Sequence, residues 1–234
     1  MKKLYSRILI ISLFAIAMAL LESAVVIYLR EIMYPEGFQF PLKPIHPNIA
    51  LTEILREAAT LIMLVCIGLM AGKTFSQRFA WFIYSFAIWD IFYYVFLWIL
   101  IGWPESLMTW DILFLIPATW TGPVITPLIL TAVMIFFALL ILFNAERGLN
   151  TKIQSLEWIG VLSGVVVLVI AFVYDYMKHM LKEFSFGELL HLGDPYIREH
   201  AQTYIPDAFP WLIYLPGLFI MLAAILVYRS RLKN

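Results

Sequence analysis

One cysteine in 234 residues leaves no partner for an internal disulfide and no CxxC metal site. Charge is also scarce. Asp, Glu, Lys and Arg make up 14% of the chain, where about a quarter is usual for a soluble domain. The 16 acidic and 16 basic residues cancel, so no basic surface points to nucleic acid. None of the four histidines falls inside an apolar run, which argues against a bis-histidine haem. P-loop and GxSxG patterns are missing, as is HExxH. No internal repeat is visible, which weakens an inverted-repeat transporter reading.

What remains is apolar. Hydrophobic residues are 63% of the chain and mean hydropathy is +0.89, the signature of a single integral-membrane domain over residues 1–234. Lys2, Lys3 and Arg7 before an apolar run imitate a signal peptide. The run extends from Ile8 to Leu29, beyond the usual h-region of about 7–15 residues, so it reads as a retained first span. The expected fold class is all-α, a polytopic transmembrane helix bundle of about six spans. They are drawn at roughly 8–30, 49–71, 79–102, 123–144, 157–178 and 208–229.

Lys and Arg near the span ends set the orientation. With the N-terminus inside, short inner segments hold Lys2, Lys3, Arg7, Lys73, Arg78, Arg147, Lys152, Arg229, Arg231 and Lys233. The longer outer segments hold only Arg30, Lys43, Lys178, Lys182 and Arg198. The expectation is a cell inner (cytoplasmic) membrane location with both termini cytoplasmic. Trp98, Trp103, Trp110, Trp120 and Trp211 near one interface, with Trp81 and Trp158 near the other, fit an aromatic belt. The single Cys66 reads as a small apolar core residue.

The outer loops carry structure signals of their own. Residues 31–48 hold four prolines among aromatic residues, an extended segment lying on the bundle mouth, and Asn48 is placed to cap the second helix. Segment 103–122 is too apolar for a solvated loop and predicts a short re-entrant or interfacial helix. Segment 179–207 predicts an amphipathic helix around Leu181–Leu192, with a turn at Gly193-Asp194-Pro195.

Four charges interrupt the spans. Such residues are costly at membrane depth unless they face protein or water and find partners, so they mark candidate sites. Glu22 and Glu57 each lie roughly 12 Å below the outer surface, and Asp90 lies roughly 18 Å down. Arg56 is offset by about 100° from Glu57, and so faces a neighbouring helix. Further acidic and histidine side chains crowd the outer ends: Asp111, Asp175, His179, Glu188, His191, Asp194, Glu199 and His200. Together they predict an acidic pocket opening outward.

Three chemistries suit such a pocket. Glu53/Glu57 and Asp175/His179 are i,i+4 pairs that could share a divalent metal. Neighbouring carboxyls Glu22, Glu57 and Asp90 could bind a cation or pass protons, with Arg56 holding one carboxylate charged or binding a substrate anion. Paired carboxyls could also act on a lipid-like substrate beside Trp89, Tyr93, Tyr94 and Trp98. The alternative is a non-catalytic subunit of a larger membrane complex, in which the buried charges only lock helices together. Expected partners are membrane lipids and, in that alternative, other membrane subunits.

Overall fold

The computed structural model describes residues 1–43, 46–116, 118–189 and 194–232. Six helices among them are long and apolar enough to cross a membrane, the architecture of a multi-pass membrane protein. These are α1 (Lys2–Met33), α2 (Pro47–Ala71), α3 (Phe75–Ile101), α4 (Ile125–Glu146), α5 (Ser155–Met180) and α8 (Trp211–Arg231). Between α5 and α8 lie the short α6 (Phe186–Leu189) and α7 (Pro195–Ala201).

Local chemistry sets the helix ends. Pro47 opens α2, its fixed φ suiting a first helical position, and the cap is His46, whose Nδ1 accepts from the Asn48 amide at 3.3 Å. The cap therefore falls two residues before the expected Asn48. Thr74 caps α3 by accepting from the Gln77 amide. Gly102 ends that helix at φ +67°, a left-handed conformation that costs glycine little. Gln154 and Glu157 form a reciprocal capping box at the start of α5.

Segment 103–122 is a β-hairpin where a helix was expected. Strand β1 (Trp110–Phe114) pairs antiparallel with β2 (Trp120–Pro123), with a bulge between Ile112 and Phe114. The physical reason lies in composition. Trp110, Ile112, Phe114 and Thr121 are β-formers, and a hairpin satisfies its inner backbone groups through its own ladder, as an apolar setting demands. The amphipathic helix expected over Leu181–Leu192 is also shorter in fact. A turn follows α5, and α6 covers four residues. Residues Leu190–Gly193, with His191 and the start of the expected turn, lie outside the described residues.

Helix α3 is the hub, packing against α1, α2 and α4, while α5 packs chiefly against α8. The main core joins Leu4 and Ile11 of α1 to Trp81 and Tyr84 of α3, Phe137 and Ile141 of α4, Leu168 and Phe172 of α5, and Met221 and Tyr228 of α8. The α5–α8 contact is close because Gly160 and Gly164 present no side chain to it. A Cβ on Gly160 would stand 2.7 Å from the Ala224 Cβ, and one on Gly164 2.8 Å from the Met221 Cβ. This small-xxx-small spacing lets membrane helices approach where lipid removes any hydrophobic drive to associate. At the far end Glu157 receives Arg231 through Nε at 2.6 Å and Nη2 at 3.0 Å, a bidentate clasp between the same two helices.

Aromatic and thiol placement departs from the expected pattern in part. Trp98 is exposed, but Trp81 is buried in the core and Trp120 stacks on Phe172 with ring centroids 5.5 Å apart. Cys66 is exposed on α2 among Ile62, Met63, Leu69 and Met70, so it belongs to the outer apolar face and not to the core.

Candidate functional site

The buried charges of α1, α2 and α3 come together at the end of the bundle that carries the hairpin. Arg56 of α2 donates through Nη1 to Glu22 of α1, and through Nε at 2.8 Å to Glu53 on its own helix. Thr60 Oγ1, one turn on, lies 3.5 Å from Glu22 Oε2. The guanidinium is thus shared by two carboxylates and bridges two helices. Glu57 takes no part in that trio. Its Oε2 accepts the Leu115 amide at 3.0 Å, pinning the hairpin turn to α2.

A second ionic group closes the mouth. Arg30, near the end of α1, donates at 3.1 Å to Asp111 of β1, and Tyr94 of α3 donates to the other carboxylate oxygen at 3.3 Å. The Arg30 guanidinium carbon stands 3.7 Å from the Trp103 ring centroid and 4.6 Å from that of Phe38. Cation–π contact and a paired carboxylate hold it rigidly. Sequence reading placed Asp111 on this segment and Tyr94 one turn beyond Asp90, but it missed the pairing with Arg30. A basic residue in the last turn of a helix looks like an interfacial anchor.

Burial in the hairpin pushes the Asp111 carboxyl up to about 6, with the Arg30 charge, the Ile112 amide and the Tyr94 hydroxyl pulling the other way. The folded value lies above the ordinary 3.8, so the folded state binds this proton more tightly than the unfolded chain does. The Asp111 contribution is therefore full below 3.8 and is lost as pH rises through about 6. Thermal midpoints followed across that range should fall with rising pH, and Asp111→Asn should flatten this part of the profile. A variant with the wild-type slope would show that Asp111 is not the titrating group.

Asp90 of α3 is near enough to Glu22 of the first ionic group and Asp111 of the second to feel both charges. Its Oδ2 is shielded and has no hydrogen-bond partner among the described residues. The same holds for Arg30 Nη1 and for the indole nitrogen of Trp89. Every other carboxyl of the pocket is engaged: Glu22 and Glu53 with Arg56, Glu57 with Leu115, and Asp111 with Arg30 and Tyr94.

The other expected ligand pair is used elsewhere. Asp175 Oδ2 accepts from the Tyr204 hydroxyl at 2.8 Å and the Asp207 amide at 3.2 Å, and Thr121 of β2 meets the same hydroxyl at 2.9 Å. His179 Nε2 reaches His200 O and Thr203 Oγ1, and its ring stacks on that of His200 with centroids 4.4 Å apart. These contacts fasten α5 to α7 and to the segment before α8. Asp194 caps α7 by accepting from the Tyr196 amide at 2.8 Å. Among the described residues no three His, Cys, Asp or Glu side chains are grouped closely enough to hold a metal, so Glu53/Glu57 and Asp175/His179 are not brought to one centre. Asp175→Ala strips the Tyr204 hydroxyl and the Asp207 amide of their acceptor. It should lower stability by about 1–3 kcal/mol, read as a lower unfolding midpoint in detergent.

The architecture defines a class, the multi-pass helical membrane protein. No family model matches the chain, and no curated protein or solved structure shows significant similarity to it. Function therefore has to be read from the pocket itself.

Proposed function

We propose that the chain is a multi-pass protein of a bacterial-type inner membrane, both termini cytoplasmic, whose acidic pocket takes up a cation or a proton at Asp90. Glu22 lies near enough to add its charge there, and Glu57 stands beside Arg56 on α2. Arg56 holds the Glu22 and Glu53 charges in place, and Arg30 does the same for Asp111. One observation carries the reading: Asp90 has a shielded carboxyl oxygen with no partner among the described residues, beside a set of carboxyls that are all engaged. A carboxylate withdrawn from water without a partner is costly, and a proton or a cation removes that cost. The Lys and Arg distribution supports this orientation, with the pocket on the outer side.

A proton or a monovalent cation suits the site better than the divalent metal considered from sequence, because one free carboxyl oxygen is a poor donor set for a metal that wants several ligands. The alternative, a complex subunit with its helices locked by charge, draws its support from the Glu22–Arg56–Glu53 trio, which spans α1 and α2 and is internally satisfied. Infrared difference spectroscopy separates the two. Exchanging sodium for a bulky inert cation, or shifting pH, should change a carboxyl band in the wild type that is missing from the Asp90→Asn spectrum, beside the Asp111 titration that both retain. An identical difference spectrum in the variant would sink the proposal and leave the locked-subunit reading.

A further inference from the structure

Helix α5 is covered by protein on one side only. On that side Leu168 and Phe172 join the core, Asp175 holds Tyr204, and His179 stacks on His200. The other side is a stripe spaced three and four residues apart: Ile170, Val173, Tyr174 and Met177, then Lys178, Leu181 and Lys182. These residues line an open groove of about 420 Å³, within the roughly 300–1,000 Å³ usual for small-ligand sites. At about 1.5 Å per residue the stripe runs roughly 18 Å, a little over one leaflet of a hydrocarbon core about 30 Å thick. Every described residue that lines it belongs to α5 or to the turn that follows, so in a membrane lipid lies along it. The composition is graded, apolar at first and cationic at the C-terminal end. No carboxylate lines the groove. Asp207 approaches Lys178 only to 3.9 Å, with the two side chains 51% and 79% exposed, a loose pair that a closer anion can displace. Glu183 follows Lys182 in sequence but does not line the groove. Lys182 is in no ion pair among the described residues.

We propose that this groove seats one phospholipid with an anionic head group. An acyl chain lies along Ile170, Val173 and Met177, and Lys178 and Lys182 hold the phosphate. The inference is independent of the Asp90 reading and needs only that α5 spans the bilayer. Charge selects the head group. Two ammonium groups four residues apart share one helix face, so both can reach one phosphate. Each lysine at a membrane interface adds to the attraction for anionic lipid. Their long stems lie along apolar surface while the charged ends reach the head-group region. Tyr174, one turn before Lys178, is 44% exposed and offers a hydroxyl at the level of the glycerol esters. Cations in the last turn also answer a helix's free carbonyls, but that role alone gives no preference between lipid head groups.

The test uses the full chain in nanodiscs of phosphatidylcholine carrying a trace of photoreactive lipid. The probe is phosphatidylglycerol with a diazirine in one acyl chain, and the comparison is phosphatidylcholine with the same chain. Labels from the anionic lipid should gather on residues 170–181 at least about tenfold above those from the choline lipid. Around Ile62 and Met63 of α2, on an exposed apolar face without lysine, the two should label alike. Lys178→Gln with Lys182→Gln should bring the α5 ratio close to one. If that pair of substitutions does not fold, Lys182→Gln alone should lower the ratio about threefold. Equal labelling of α5 by the two lipids, or a ratio that survives in the substituted protein, would overturn the proposal. Glycerol 1-phosphate distinguishes a free phosphate ester from the lipid. It should leave the labelling unchanged, and displacement by it would show an anion site in which the groove has no part, which also overturns the proposal.

Discussion

Arg56→Gln should destabilise the protein by about 3–5 kcal/mol, the usual cost of removing one partner from a buried ion pair. The reason is local. Arg56 is the common donor to Glu22 and Glu53, which sit on different helices, and without it two carboxylates face each other with only Thr60 close by. Because α1 and α2 make little other contact among the described residues, the loss falls on the ionic tie that joins them. Reversible unfolding in mixed micelles measures the effect, and the double variant Glu22→Gln/Arg56→Gln provides the control. If the trio works as a unit, the second substitution should recover a large part of the loss, since it removes a stranded charge. Additive losses would mean that Arg56 acts through packing of its stem instead.

Gly164→Leu should be comparably severe, by a different route. A Cβ at this position already falls 2.9 Å from the Gly217 carbonyl oxygen and 2.9 Å from the Met221 amide nitrogen. Those are backbone atoms that cannot swing aside, so α5 and α8 must separate. Overpacking costs about 1–3 kcal/mol in ordinary cores. Separation would also loosen the Arg231–Glu157 clasp, placing the expected loss at or above the upper part of that range. Gly164→Ala should show a smaller drop in the same unfolding assay. A leucine variant as stable as wild type would mean that the two helices do not pack through this face.

The six spans were legible because hydropathy is dense and continuous along each of them. The first was drawn at 8–30 and is observed over Lys2–Met33, and the third was drawn at 79–102 and runs over Phe75–Ile101. The extra turns are amphipathic ends, such as the stretch around Arg7 or the Thr74 cap, which apolar windows undercount. Depth arithmetic sets Glu22 and Glu57 roughly 12 Å and Asp90 roughly 18 Å below the outer surface, since rise per residue is nearly constant in a helix. Partner choice was not legible. Nothing in the sequence says that Glu57 meets a backbone amide at Leu115 while Glu53 meets Arg56, because both glutamates lie on one face and differ by one turn. The hairpin escaped for a related reason: short apolar runs have no period that separates a strand from a helix. Two signals were present and went unread. Gly160-x-x-x-Gly164 announces a close helix contact, and Gln154-x-x-Glu157 announces a helix start.

The division of packing between α3 and α8 fixes an order of assembly. Helices α1, α2 and α4 all find their main partner in α3, so the helices that carry the pocket carboxyls can meet first, while β2 of the hairpin still waits for α5 to pack on it. Helix α5 is then in the membrane without its mate, its glycine face turned to lipid, until some thirty further residues bring α8. The last helix acts as a closing piece: it packs on α5, away from the place where the buried carboxyls of α1, α2 and α3 meet.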